Sequence, residues 1–236
     1  MRIAFGISYQ GSAYHGWQTQ TGLPSIQGCL EQAIAKLACH PVSLICAGRT
    51  DKGVHALGQV VHFDSSADRS QAAWLLGCNS YLPTDIRIDW VQSVPIEFHA
   101  RFSATARRYR YIIYNQPLRN ALWNKHSTHC YYPLDELRMQ SAANDLMGEH
   151  DFSSFRAASC QAKNAILHHM VRNIAAVLMR IGAGKKPLNW AKEVLLAKDR
   201  RIADATASPN GLYLVEVFYP EKFVIAKPKN DFFSIS

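Results

Sequence analysis

The order of two hydrophobic periods over the first hundred residues constrains this chain more than any other feature. "RIAFGISY" (2–9) alternates with period two, and "SIQGCLEQAIAKLA" (25–38) places Ile26, Leu30, Ile34 and Leu37 on one helical face. "VSLICAG" (42–48) and "GQVVHFD" (58–64) read as strands, "RSQAAWLLGCNSYL" (69–82) as a helix and "IRIDWVQSV" (86–94) as a strand. The order is β-α-β-β-α-β. That split arrangement packs two helices on one side of a four-stranded antiparallel sheet and is expected to leave the other sheet face free.

The second half begins the same way. "RRYRYIIYN" (107–115) is expected as one strand, and "LDELRMQSAANDLMG" (134–148) as a helix with acids in its first turn, opened by Pro133 and closed by Gly148. "LHHMVRNIAAVLMRIGAG" (167–184) aligns Leu167, Met170, Val171, Ile174, Val177, Leu178 and Ile181 in one stripe. "NWAKEVLLAKDR" (189–200) adds a helix, and "GLYLVEVFY" (211–219) a last strand. The fold class expected is α+β, with an N-terminal subdomain over 1–100 and a C-terminal one over 101–236. The repeat lacks its central strand pair, because only the 18 residues Glu149 to Ile166 are available and they show no two alternating runs. A hairpin is therefore expected to be missing near Lys163–Asn164. A segment left out of the sequence as read accounts for it better than a true deletion, which would leave unpaired strand edges and an open core.

Charge is unevenly spread. The net charge is +8, yet residues 1–100 carry 6 Lys/Arg against 7 Asp/Glu, while residues 101–236 carry 20 against 11. A basic face on the second half suits phosphate backbones, and an ordinary solvated surface accounts for the charge equally well. With 48% hydrophobic and 19% charged residues the composition is that of a soluble globular protein. "MRIAFGISYQ" is too short an apolar run for a signal peptide, and no stretch approaches the roughly 18 apolar residues of a membrane span, so a cytoplasmic protein is expected.

Several chemistries find no support. The six cysteines (Cys29, Cys39, Cys46, Cys78, Cys130, Cys160) contain no C-x-x-C pair and are expected as buried free thiols. His168-His169 are adjacent helical residues pointing about 100° apart, and no H-E-x-x-H occurs. "GAGKK" (182–186) follows a helix C-terminus and reads as a glycine cap rather than a phosphate loop. No dinucleotide or serine-hydrolase motif is present. If the chain is an enzyme, a carboxylate acting without metal or cofactor is what remains.

Two stretches suit RNA. "YQGSAYHGWQTQ" (9–20) offers Tyr14 and Trp17 for base stacking, although a loop tucked over the core fits the same composition. "HARFSATARRYRY" (99–111) interleaves Arg101, Arg107, Arg108 and Arg110 with aromatics, which favours nucleic acid over a solvated face. Between two buried-looking runs sits Arg49-Thr50-Asp51. Asp51 before Lys52-Gly53 is good turn chemistry, and Arg49 could simply pair with it.

"AGRTDKGVHALGQVVHF" closely resembles the signature of the bacterial tRNA pseudouridine synthase A family, A-G-R-T-D-A-G-V-H-A. "GSAYHGWQTQ", "FHARFSATARRYRYIIYN", "GEHDFSSFRAASCQAK", "NAILHHMVRNI" and "GLYLVEVFYP" resemble further family blocks in the same order, over nearly the whole chain. The resemblance implies a homodimeric enzyme that isomerises uridine to pseudouridine at positions 38, 39 and 40 of the tRNA anticodon stem-loop, without a cofactor. It implies two pseudo-symmetric ferredoxin-like halves whose sheets form one extended mixed sheet, with a basic cleft between them. Asp51 would be the catalytic aspartate, Arg49 the arginine that helps swing the base out, Tyr109 the ring that stacks on the uracil, Arg172 the partner of Asp51, and Leu212 the packing residue on the other side of the base. The chain departs from the family at Lys52 for Ala, Gln10 for Asp, Thr19 for Arg and Ile166 for Phe, and in about two dozen residues absent between Q-A-K and N-A-[FI].

Two other readings compete. A non-catalytic RRM-like RNA-binding module shares the β-α-β-β-α-β order, but "GQVVHFD" lacks the RRM third-strand signature. A small-molecule enzyme on the same scaffold would have no use for the arginine and aromatic cluster.

Overall fold

The computed structural model describes residues 1–156, 169–203 and 205–227. Its elements run β1 (Arg2–Tyr9), α1 (Ile26–Ala38), β2 (Ile45–Cys46), β3 (His55–Asp64), α2 (Gln71–Tyr81), β4 (Ile86–Val94), β5 (Ala106–Tyr111), β6 (Ile113–Asn115), β7 (Thr128–Cys130), α3 (Glu136–Asn144), α4 (Met170–Gly182), α5 (Trp190–Ala197) and β8 (Leu212–Phe218). The chain is an α+β protein with one mixed six-stranded sheet. It divides into two compact units, Met1–Arg110 with Tyr213–Ser236, and Tyr111–Leu212.

The first unit follows the expected β-α-β-β-α-β order. β1 lies between β4 and β3, antiparallel to both, and β2 pairs antiparallel with β3. β8 adds to β3 in parallel at His55–Tyr213 and Ala56–Leu214, and β5 lies beyond it. The helices start where serines can cap them: Ser25 Oγ accepts from Gly28 N at 3.1 Å and Ser70 Oγ from Ala73 N at 3.1 Å. The strand expected over 42–48 is shorter. Leu44 N turns to the Glu31 carboxylate at 2.9 Å, and Gly48 N is taken by the Gln59 side chain at 3.3 Å, so only Ile45–Cys46 pair as strand.

Odd-numbered residues of β1 face the helices. Phe5 and Phe63 meet edge to face at 5.1 Å, and Trp74 from α2 closes the group at 6.2 and 5.7 Å. The three are buried, and such rings dominate core energetics. The even-numbered face is not free, as the sequence suggested. Trp90 lies over Gly6, where any Cβ would sit 1.9 Å from its Nε1. Phe98 packs on His62, Tyr219 and Phe223 at 5.0–6.0 Å, and Tyr219 Oη donates to Ala100 O at 2.7 Å. Burial and the nearby Arg2 push the His62 imidazole down to about 4, and its Nδ1 accepts from Ala100 N. Segments 98–100 and 219–223 thus cover the face that a lone β-α-β-β-α-β module would expose.

Among the described residues of the second unit, the regular structure is mostly helical, α3, α4 and α5 against the short strands β6 and β7. The strand expected over 107–115 breaks at Ile112, whose N–H donates to Gly211 O at 2.8 Å and whose carbonyl accepts from Thr128 N at 2.9 Å. Beyond the break β6 pairs in parallel with β7. Val177 and Ile181 of α4 are buried with Phe155, Trp190, Ala191 and Val194, and Met170, Ile174 and Leu178 pack partly buried beside them. Polar Asn173 is buried too, because its Nδ2 donates to Phe155 O at 2.7 Å and its Oδ1 accepts from Arg200 at 3.1 Å. Past α4, Gly184 has φ +69 and donates to Ile181 O at 3.0 Å, a glycine turn that ends the helix.

The gap expected near Lys163–Asn164, Cys160 and Leu167 lie outside the described residues. The five described cysteines are free: Cys46, Cys78 and Cys130 are buried, Cys29 is half-buried, and Cys39 is exposed at the left-handed end of α1. Among the described residues no helix is long and apolar enough to cross a membrane.

Candidate active site

The loop from Cys46 to Val54 leaves β2 and returns into β3, and buried groups of the first unit fasten it on nearly every side. Gln59, a polar residue in a buried strand, donates to Gly48 O at 2.6 Å and accepts from Gly48 N at 3.3 Å. Arg107 of β5 places Nε and Nη2 on Ala47 O at 3.0 and 2.6 Å. Tyr9 Oη bonds Thr50 Oγ1 at 2.7 Å, and Trp17 N donates to Thr50 O at 2.9 Å. Thr50 is therefore the buried residue, and Asp51 stands half-exposed beside it. Val54 N closes the turn on Asp51 O at 3.1 Å, with Gly53 at φ +80.

Two glycines of the 9–20 loop let this packing happen. A Cβ at Gly11 would lie 2.0 Å from Val54 O, and one at Gly16, already at φ +97, 2.8 Å from Thr50 O. Only glycine admits backbone at that distance. The same approach drives Tyr14 and Trp17 inward, to 6% and 2% exposure. Tyr14 Oη donates to Asp85 at 2.6 Å, and the Trp17 ring lies 6.2 Å from that of Tyr9. Of the two readings the sequence offered, stacking faces for RNA or a loop tucked over the core, the packing matches the second: both rings lie inside the unit, and Trp17 N also holds Thr50 O.

Tyr109, on β5, belongs to the same neighbourhood. Burial first, then the Asp51 carboxylate, pushes its phenol up to about 12 against the opposing pull of Arg107. It stays neutral through the working pH range and sits within the field of Asp51. A Cβ on Gly48 would lie 3.7 Å from its hydroxyl.

The arginines separate by role. Arg49, two residues from Asp51, is exposed. Arg101 is exposed, with its guanidinium 5.7 Å from the Phe102 ring, and accepts Arg107 Nη2 on its carbonyl at 3.1 Å. Arg108 pairs with Glu216 at 3.1 Å and lies over Phe218 at 5.0 Å. Arg110 is half-buried. Arg107, spent on backbone carbonyls, clamps the loop. Periodicity missed Gln59 and Tyr9 as loop supports; the visible signal for Gln59 was an amide inside an otherwise apolar strand. Lys52, the residue after Asp51, places its Nζ 3.2 Å from His15 Nε2.

Arg172 and Leu212 belong to the second unit. Arg172 sits in the first turn of α4, half-buried, with Nε donating to Ala207 O at 2.8 Å while its own carbonyl accepts from Ala207 N at 3.4 Å. Leu212 is buried at the start of β8. It follows Gly211, where a Cβ would be 2.4 Å from Ile112 O. The segment between is held by Tyr111 Oη, which donates to Ser208 O at 2.8 Å.

Comparison with known proteins identifies the family. A family model described as tRNA pseudouridine synthase matches residues 7–103 and 163–220, which include Asp51, Arg172 and Leu212. Proteins named tRNA pseudouridine synthase A from Enterobacter sp. (strain 638) and Pseudomonas aeruginosa are 53% and 54% identical, over 96% and 94% of this chain and 93% and 87% of their own lengths. One from Pseudoalteromonas atlantica is 51% identical over 97% of this chain and 96% of its own. The Enterobacter alignment runs over 251 positions against the 236 residues here, so that relative carries residues without a counterpart in this chain. With more than half its length matched and identities above one half, the chain belongs to the tRNA pseudouridine synthase family, a family of isomerases.

Proposed function

We propose that this protein isomerises uridine to pseudouridine in tRNA, at positions 38, 39 and 40 of the anticodon stem-loop, with Asp51 as the reacting carboxylate. One observation carries the reading beyond family membership: a half-exposed aspartate on a loop fastened by Gln59, Arg107, Tyr9 and Trp17, its carboxylate close enough to act on the buried phenol of Tyr109. The reaction breaks C1′–N1, turns the uracil and joins C5 to C1′; the C5 proton leaves and N1 gains one, so the atoms balance. An ionised carboxylate serves either as nucleophile at C1′ or as base at C2′. Likeness to the family supports Arg172 as the charge partner of Asp51, and Tyr109 and Leu212 as the surfaces that hold the detached base.

Exposed Arg49 and Arg101 are suited to phosphates and to filling the place of an extruded base, whose unstacking costs a few kcal/mol. The same proposal covers a homodimer, a cytoplasmic location, and a second half, 101–236, related to the first, 1–100, by pseudo-symmetry across a basic cleft. Incubation with tRNA lacking pseudouridine, followed by position-resolved mapping, tests it. The unaltered chain yields product at 38–40 and Asp51→Ala yields none; product from Asp51→Ala, or no product from the unaltered chain, overturns the reading. A purely RNA-binding module would bind the tRNA and leave it unchanged.

A further inference from the structure

The second unit contains a cavity of about 480 Å³ that the chemistry above does not use. Its walls are the chain around β6 and β7 together with Ser208 and Asn210. The size falls within the roughly 300–1,000 Å³ of small-ligand sites. No carboxylate lines it, and from Asn115 to Pro133 the chain has neither Asp nor Glu while carrying Arg119 and Lys125.

Its lining is built and only partly satisfied. Asn120 Oδ1 accepts from Leu122 N at 2.9 Å and Trp123 N at 3.4 Å, and Trp123 O accepts from His126 N and Ser127 N at 3.0 and 3.1 Å. This turn presents the Trp123 indole at 38% exposure. On the opposite wall Tyr111 Oη ties Ser208 O to Thr128 Oγ1 at 2.8 and 2.6 Å. The polar groups left over are the Arg119 guanidinium and the side-chain amides of Asn124 and Asn210, which among the described residues have no hydrogen bond or ion pair.

An open indole, an unpaired guanidinium and two spare amides, with no carboxylate among the described lining residues, match the parts of an unpaired nucleotide. A base stacks on the indole, its edge bonds the amides, and its phosphate meets the arginine. We propose that this cavity binds one unpaired nucleotide of the tRNA, other than the target uridine, and so adds affinity without touching the reaction; this rests on tRNA being the substrate.

The test is tRNA affinity, read by fluorescence anisotropy with an end-labelled transcript. Trp123→Ala and Arg119→Ala each raise Kd by about tenfold, Trp123→Phe retains most of the affinity, and the rate of pseudouridine formation at saturating tRNA is unchanged. Single-stranded oligoadenylate competes with tRNA on the unaltered chain and loses that advantage on Trp123→Ala. Both alanine variants within twofold of the unaltered Kd overturn the proposal. So does a loss that Trp123→Phe shares fully, which marks a packing role, or competition by duplex RNA equal to that by the single strand. Arg119 is exposed, so Arg119→Ala decides the matter if Trp123→Ala does not fold. tRNA binding without pseudouridine formation by the unaltered chain would sink the proposed function alone; absence of tRNA binding sinks both.

Discussion

Asp51 and Arg172 are held in opposite ways. The aspartate rides on a loop without regular structure, held by the Arg107 and Gln59 side chains on the backbone of Ala47 and Gly48, by Trp17 N on Thr50 O, and by Tyr9 Oη on the Thr50 hydroxyl. The arginine stands in the first turn of a helix, so its backbone is regular, and its guanidinium reaches the loop carbonyl of Ala207. On the proposed function, a carboxylate that reacts in a defined direction gains from a backbone that cannot shift, since positioning is much of what a site contributes to rate. A cation proposed to act through its field would tolerate a longer, looser reach.

The sharpest way to break that comparison is to remove the acid and leave its cradle. Asp51→Asn should lower pseudouridine formation by on the order of 10⁴-fold or more, while stability stays within about 0.5 kcal/mol, because Gln59, Arg107 and Trp17 hold the loop's backbone. A melting curve beside a single-turnover assay reads both. A large loss of stability would show that the carboxylate holds its own loop.

The converse change attacks the cradle. Gln59→Leu leaves both Gly48 backbone groups without their partner and should cost roughly 1–3 kcal/mol, with a fall in rate at saturating tRNA. On the arginine's side, Gly211→Ala drives a Cβ to 2.4 Å from Ile112 O and should cost about 1–3 kcal/mol, moving the segment that carries the Ala207 carbonyl. Equal rate losses at matched stability would mean that both charges need the same precision, and the contrast drawn above would fail. Tyr9→Phe, which deletes one buried bond to Thr50, should cost about 0.5–1.5 kcal/mol by denaturant midpoint.

The smallest effect lies away from both regions. Arg2 holds the Asp64 carboxyl below its ordinary range through paired hydrogen bonds at 2.8 Å, although the Asp64 side chain is 58% exposed. A depressed folded pKa contributes stability above the unfolded value of about 3.9 and loses it as pH falls through the folded value. Asp64→Asn should therefore cost under about 1 kcal/mol at pH 7, after solvent screening, and progressively less as pH falls below about 3.9. A cost that persists in acid would point to packing instead of charge.

Strand alternation and helical stripes made β1, α1, β3, α2 and β4 legible because each buries one face against a neighbour from the same hundred residues. The break at Ile112 was not, since alternation continues through it, and the break comes from bonds to Gly211 and Thr128. Asp51, Arg172 and Leu212 were found through likeness to a family, because one acid in a turn carries no periodic signal.

The sequence by itself determined the order of elements, the excess of basic residues after position 100 and the identity of the lone acid in its loop. These depend on neighbours three or four positions apart, or on composition. Only the tertiary structure decided that Tyr14 and Trp17 point inward, that Arg107 serves as a clamp, and that Phe98, Tyr219 and Phe223 close the second sheet face. Each of those outcomes rests on backbone approaches or contacts between residues dozens to more than a hundred positions apart. Burial and hydrogen-bond satisfaction there are settled by packing, which local pattern does not encode.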